Sequence, residues 1–364
     1  MNAGLVYLLA CAVNGVVPDA DLVKELDLPA LYRAASRHML ASAVGVALEL
    51  AGIHDADFER ARNYAIRRAA LMSADMAAVA QRLQAEGIWY APLKGAVLQH
   101  LYPVYGMREM CDHDILVDAG RADDVREIME DLGFSTKYFR IGNHDVYFKK
   151  PISNFEMHRA LFGAAVDEGL LEYYRGLESR LLGDGCEKHF CPEDFYLYLC
   201  AHEYKHYVVS GTGLRSLLDI YVYLREVDLD RGYVVAEAEK MGIADFEEAN
   251  RSLALRLFSG QQLSSADWEM LGYILSSGVY GTIGNRVENT MAKNGYGKIR
   301  YALARFFVPV SRKNKEYESF ASRYPVFYEH KVLLPLLPFY RTIRAMRKGR
   351  FMAEARAIRD AGSS

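Results

Sequence analysis

The chain has 364 residues, 51% of them hydrophobic, and a formal net charge of −3 at pH 7. Length and composition allow two or three domains with a sizeable core, while the charge balance excludes a general attraction to nucleic acid or anionic membrane. Five cysteines (Cys11, Cys111, Cys186, Cys191 and Cys200), odd in number and without metal-type spacing, argue against a disulfide framework and point to a reduced, cytoplasmic setting.

Ala3 to Val17 is apolar but lacks the preceding Lys or Arg of a secretory signal. No run approaches the ~18 apolar residues of a membrane span. Leu28 to Leu50 and the Ala-rich Phe58 to Leu83 have helical spacing, with Gly52 breaking the two. The character changes at Gly87. Ile88 to Leu93 predicts a strand, Ala96 to Leu101 a helix, His113 to Asp118 a second strand, and Arg121 to Leu132 a helix closed by Gly133. Phe134 to Arg140 and Val146 to Lys150 predict strands joined through Gly142-Asn143, and Phe155 to Leu161 another. Beyond Pro192 the pattern is helical again over Phe195–Val208, Leu214–Leu224, Tyr233–Met241 and Phe246–Phe258. This order predicts an α+β fold with one mostly antiparallel sheet, divided into a helical region (1–84), a strand-bearing unit (85–185) and a second helical region (186–364). From 298 to 350, Lys and Arg outnumber Glu by thirteen to three, which gives either a solvated basic face or a surface for an anionic partner.

The chemistry concentrates between residues 93 and 158. Asp112 and Asp114 lie two apart at the head of an apolar strand, a spacing that sends side chains to one face. Two such carboxylates repel unless a cation sits between them, and hard cations such as Mg²⁺ choose oxygen ligands. Lys94-Gly95 follows a strand and opens a helix; Gly95 lets backbone approach a phosphate, and Lys94 and Arg108 add positive charge. In Asn154-Phe155-Glu156-Met157-His158, alternation sends Glu156 and His158 away from Phe155 and Met157, making Glu156 the candidate third carboxylate. His158 also suits the task of orienting a carboxylate. Nucleotidyl transfer needs this set: a triphosphate-holding turn, two or three carboxylates for metal ions, and an acceptor hydroxyl in line.

Leu93-Lys94-Gly95, Leu101-Tyr102-Pro103, Arg108-x-Met110-x-Asp112-x-Asp114-x-Leu116-Val117 and Glu156-x-His158 resemble the bacterial nucleotidyltransferase family of the DNA polymerase β superfamily. Ala201-His202, Lys205-His206, Gly213-Leu214-Arg215 and Leu218-Asp219 extend the resemblance. It implies a small mixed or antiparallel-sheet palm flanked by helices, which moves a nucleoside monophosphate from a nucleoside triphosphate to a hydroxyl and releases pyrophosphate. It implies Asp112, Asp114 and Glu156 as catalytic metal ligands, with Mg²⁺ as cofactor and Mn²⁺ as the alternative. Lys94, Gly95, Arg108, His158, His202, His206 and Arg215 are then the nucleotide-binding candidates. A small molecule or a protein is favoured over nucleic acid as acceptor.

Two further readings come from the residues. Set against the pattern of the family it resembles, His113 stands at a usually aliphatic position and Glu109 where Pro is common, which motivates a non-catalytic nucleotide- or partner-binding protein on the same fold. His202-Glu203-Tyr204-Lys205-His206 satisfies H-E-x-x-H, the pattern of a zinc peptidase, with Glu226 as a conceivable third ligand. Lys205 weighs against it by placing an ammonium beside a supposed ligand. A polar seam of His202, His206, Arg215 and Asp219 between the helices and the palm is the better account of that segment.

Overall fold

The computed structural model describes residues 2–163, 166–307, 310, 317–347 and 349–361. Helices α1 (Asn2–Asn14), α2 (Ala20–Lys24), α3 (Leu28–Arg37), α4 (Ala41–Leu50) and α5 (Ala56–Ala85) come first. Aspartates start three of them. Asp19, Asp27 and Asp55 accept hydrogen bonds from backbone N–H groups of the first turns of α2, α3 and α5, satisfying donors that have no partner within the helix. The apolar start of the chain is a core helix: Leu5, Leu8, Leu9, Ala12 and Val13 of α1 are all buried. Leu28 to Leu50 is two helices. Its apolar spacing runs through the break because α4 is buried on every side from Ala41 to Leu48, so no polar stripe marks its start.

The central part runs β1 (Tyr90–Pro92), α6 (Gly95–Leu98), β2 (His113–Val117), α7 (Ala122–Asp131), β3 (Ser135–Tyr138), β4 (His144–Lys149), β5 (Ser153–His158) and α8 (Glu168–Tyr173). The strands form one mixed sheet in the order β1-β2-β5-β4-β3. Three pairings are antiparallel and β2 with β5 is parallel. Strand β5 starts and ends earlier than its apolar run suggests. Ser153 already pairs with Lys149, whereas the N–H groups of Arg159 and Ala160 turn to the Asn143 carbonyl.

Period-2 alternation gives the sheet two faces. Tyr90, Ile115, Val117, Tyr147, Phe155 and Met157 meet Val79 and Leu83 of α5 and Val125, Ile128 and Met129 of α7 in one core. Ala91 and Leu116 belong to the opposite core, which the N-terminal helices share with α9 (Pro192–Tyr207), α10 (Leu214–Glu226), α11 (Arg231–Met241) and α12 (Ala244–Phe258). The chain continues through α13 (Ser265–Ser277), α14 (Ile283–Asn294), α15 (Lys298–Phe307), α16 (Tyr317–Arg323), α17 (Pro325–Glu329), α18 (Leu337–Arg347) and α19 (Arg350–Asp360). Val287, Tyr301 and Ala361 gather a small separate core there. All five cysteines are free thiols. No helix among the described residues is long and apolar enough to cross a membrane.

Candidate active site

The site lies on the sheet face away from α5 and α7. Alternation along β2 sends His113 into the core and Asp114 to this face; along β5 it sends Glu156 and His158 there too. Parallel register sets Asp114 opposite Glu156 and Leu116 opposite His158. His158 Nε2 lies 2.8 Å from Asp114 Oδ1 and 3.8 Å from Glu156 Oε2, so one imidazole nitrogen stands between the two carboxylates. Asp112 lies one residue ahead of β2, in an irregular loop, and among the described residues it has no hydrogen-bond partner.

That loop is pinned from several sides. Arg68 of α5 donates to the Cys111 carbonyl, Ser42 N of α4 donates to Glu109 Oε1 at 2.9 Å, and Arg215 of α10 donates to the Glu109 carbonyl at 3.3 Å. Arg108 Nε and Nη2 donate to Asp219 Oδ1 and Oδ2 at 2.8 and 2.9 Å, and the Tyr102 hydroxyl adds a third bond to Asp219 at 2.7 Å. Arg108 is thus a buried clamp between the palm and α10. A Cβ on Gly95 would meet Arg108 Nη1 at 2.6 Å and Met110 Cε at 2.9 Å, so glycine here admits a side-chain cluster under the turn. The helix that Gly95 opens, α6, is a single turn of four residues.

Lys94 precedes it with φ +39° and ψ −113°, a conformation that costs a non-glycine residue on the order of 1–3 kcal/mol. The turn aims Lys94 Nζ at Asp114 Oδ1, 2.8 Å away. Burial opposes both charges, but each outweighs it for the other: Lys94 is held above its ordinary value, and Asp114, bonded also by His158, well below the carboxylate range. The other two carboxylates are short of compensation. Burial and the Asp114 charge push Asp112 up. Burial, then Asp114 and Asp112, push Glu156 up to about 7. A carboxylate cluster with one neutralised member and two destabilised ones favours an added cation.

Helix α9 closes the site from the helical side. His202 and His206 bring their Nε2 atoms to 3.4 Å, on the helix face toward Lys94. Burial and neighbouring ammonium groups hold both imidazoles neutral, His206 down to about 3. Burial and Lys94 press Lys205 down to about 8, while Asp114 and Glu156 pull it up. Tyr198 is buried beside Lys94. The structure therefore brings Lys94, Asp112, Asp114, Glu156, His158, His202, His206 and Arg215 around one basin, with Gly95 and Arg108 beneath it.

The motif of a zinc peptidase is not assembled. Glu203 turns away from the two histidines into the interior, where its Oε2 accepts a 2.8 Å bond from Asn250 of α12 and burial pushes its carboxyl up to about 8. Among the described residues no third ligand atom joins His202 and His206, and Glu226 pairs with Arg225 at the end of α10. The two unusual positions also find places. His113 is buried against Phe155 (ring centroids 5.0 Å), neutral, with burial pulling it down to about 4. The Glu109 carboxylate is bound to the Ser42 backbone.

His144, Tyr198 and Lys205 belong to the basin without having been singled out as site residues. His144 Nε2 lies 3.5 Å from Glu156 Oε2. The alternation of buried Tyr147 with His144 and Val146 was the available signal, but His144 adjoins Gly142-Asn143 and reads as part of a turn. Among the described residues, His144, Glu156 and His158 form the set of three whose ligand atoms all lie within 4.8 Å; Asp112, Asp114 and Glu156 are spread more widely.

A model of the family described as "Uncharacterised nucleotidyltransferase" matches residues 24–259. The chain belongs to this family. No curated protein and no solved structure matches it. The nucleotidyltransferase match begins at the end of α2 and ends just after α12. It contains the whole sheet and every residue of the basin, and leaves the helices after residue 259 outside. An α+β nucleotidyltransferase fold and a general role in nucleotidyl transfer follow from it.

Proposed function

We propose that the protein is a Mg²⁺-dependent nucleotidyltransferase that moves a nucleoside monophosphate from a nucleoside triphosphate to a hydroxyl and releases pyrophosphate. The observation that supports this best is Lys94 Nζ bonded to Asp114 Oδ1 at 2.8 Å, with Glu156 directly opposite Asp114 in the parallel β2–β5 register and Asp112 just ahead of β2. Asp112, Asp114 and Glu156 hold the metal. Mg²⁺, or Mn²⁺ in its place, supplies neutralisation of the charge that builds on the α-phosphate and the leaving group. Lys94, Lys205 and Arg215 offset the triphosphate charge. Glu156, opposite Asp114 on the same sheet face, is also placed to take the proton of the acceptor hydroxyl. Residues 85–185 form the catalytic unit, with 1–84 and 186–364 as helical flanks; the acceptor is a small molecule or a protein, and the setting is cytoplasmic.

We assign the basic stretch 298–350 to an anionic bilayer surface. Ile299, Leu303 and Phe307 make an exposed stripe on α15, and Phe339, Ile343 and Met346 another on α18, each amid Lys and Arg.

The test is labelled triphosphate with the full chain and Mg²⁺, following pyrophosphate release and label transfer. Asp112→Asn should lower turnover by roughly 10²–10³-fold or more. Undiminished turnover in that variant overturns the assignment. Triphosphate binding that ignores Mg²⁺ and yields no product would fit the non-catalytic reading instead.

A further inference from the structure

His144 takes no part in the carboxylate set, yet its surroundings are those of a ligand. It sits opposite His158 in the antiparallel register of β4 and β5, so both imidazoles emerge on the basin face, with ring centroids 5.0 Å apart. Glu156 precedes His158 by two residues on the same strand and face. Its Oε2 lies 3.5 Å from His144 Nε2 and 3.8 Å from His158 Nε2. The three side chains come from adjacent hydrogen-bonded strands, a rigid platform for a ligand set. The His144 Nδ1 atom is buried and has no hydrogen-bond partner. His158 Nε2, the atom nearest Glu156, is bonded to Asp114 Oδ1 at 2.8 Å, a contact that an entering ion must displace, and Asn143 Nδ2 stands 3.5 Å from the outer nitrogen, Nδ1.

Two imidazoles and a carboxylate are not the donors of a Mg²⁺ site. Mg²⁺ takes oxygen, whereas this mixture suits Zn²⁺, Mn²⁺, Co²⁺ and similar first-row ions. Donors around a tetrahedral zinc are roughly 3–3.5 Å apart, so ligand atoms within 4.8 Å of one another need only small side-chain adjustments.

We propose that His144, Glu156 and His158 form a second cation site, beside the aspartate pair, that takes a borderline divalent metal and shares Glu156 with the carboxylate set. The site rests on the reading above through that shared residue and through Asp114, which bonds His158 Nε2. Glu156 then has two neighbours to serve, and the His pair decides which ion settles on the β4–β5 side of the basin.

The experiment is titration of the chelator-stripped full chain with Co²⁺, read by visible absorption, and with Zn²⁺, read by calorimetry. One ion per chain is expected. His144→Ala and His144→Gln should weaken it by more than the roughly 10–100-fold that loss of an outer-shell partner costs. Asp112→Asn should leave it in place. Two His144 variants, each checked for an unchanged melting temperature, separate loss of a ligand from loss of fold. Binding that survives both His144 variants, or that vanishes in Asp112→Asn, overturns the proposal, as does the absence of stoichiometric Co²⁺ in the wild type. Nucleotidyl transfer is scored separately: failure of transfer with intact Co²⁺ binding counts against the enzymatic reading alone, and the reverse result against the second site alone.

Discussion

Arg108 and Asp219, 111 positions apart, are joined by two nitrogen–oxygen bonds of 2.8 and 2.9 Å inside the protein. Their pairing fixes the loop that presents Asp112 against α10. Asp219→Ala leaves a buried guanidinium uncompensated and should destabilise the fold by about 3–5 kcal/mol, measured by denaturant unfolding. Gly95→Ala attacks the same clamp from the other side, since its methyl group would stand 2.6 Å from Arg108 Nη1. A loss of about 1–3 kcal/mol is expected. If both variants unfold like the wild type, the clamp has no structural role.

Lys205 faces the carboxylates from α9, and burial keeps its ammonium under pressure. Removing it subtracts triphosphate attraction without touching a metal ligand. Lys205→Ala should raise the KM for the triphosphate about tenfold or more, equivalent to about 1.4 kcal/mol, with a smaller change in kcat. An unaltered KM would place the triphosphate elsewhere.

Glu203 gives a pH signature. Burial raises its carboxyl from the ordinary 4.5 to about 8, so between those values the folded chain holds a proton that the unfolded chain releases. Its contribution to stability is fully present below pH 4.5 and is lost as pH rises through about 8. The slope is at most about 1.4 kcal/mol per pH unit. Glu203→Gln keeps the Asn250 hydrogen bond and removes the titration. The difference in unfolding free energy between variant and wild type should grow in favour of the variant from pH 5 to pH 8. A pH-independent difference would show that Glu203 is charged throughout.

The stripes on α15 and α18 predict co-sedimentation of the full chain with vesicles containing phosphatidylglycerol and little with phosphatidylcholine alone. Binding should weaken as salt shortens the screening length from about 30 Å at 0.01 M to about 8 Å at 0.15 M. Phe339→Asp with Ile343→Asp should abolish it. Concentration-dependent dimers that these substitutions disperse, without vesicle binding, would reassign the face to self-association.

Local pattern revealed much of the architecture. The strand at His113 and the amphipathic alternation around Glu156 were legible because period-2 burial is written into neighbouring residues. The register was not. That Asp114 faces Glu156 across a parallel pairing depends on the path through α7, β3 and β4, which no short window contains. Arg108 offers the same lesson in reverse. As a cation near two aspartates it suggests phosphate or a local ion pair, and only the distant Asp219 gives it a partner. His144 was hidden by the turn residues before it, and the break at Met39, with φ +55°, by the burial of α4 on all sides.

Helix α5 runs through both cores, with Phe58 packed among the N-terminal helices and Val79 and Leu83 under the sheet. A genetic truncation that begins at Gly87 would therefore strip the back of the sheet and expose Ile88, Tyr90, Ile115 and Phe155 to water. The smallest fragment worth expressing starts upstream of Ala56, however compact the strand-bearing segment looks on paper.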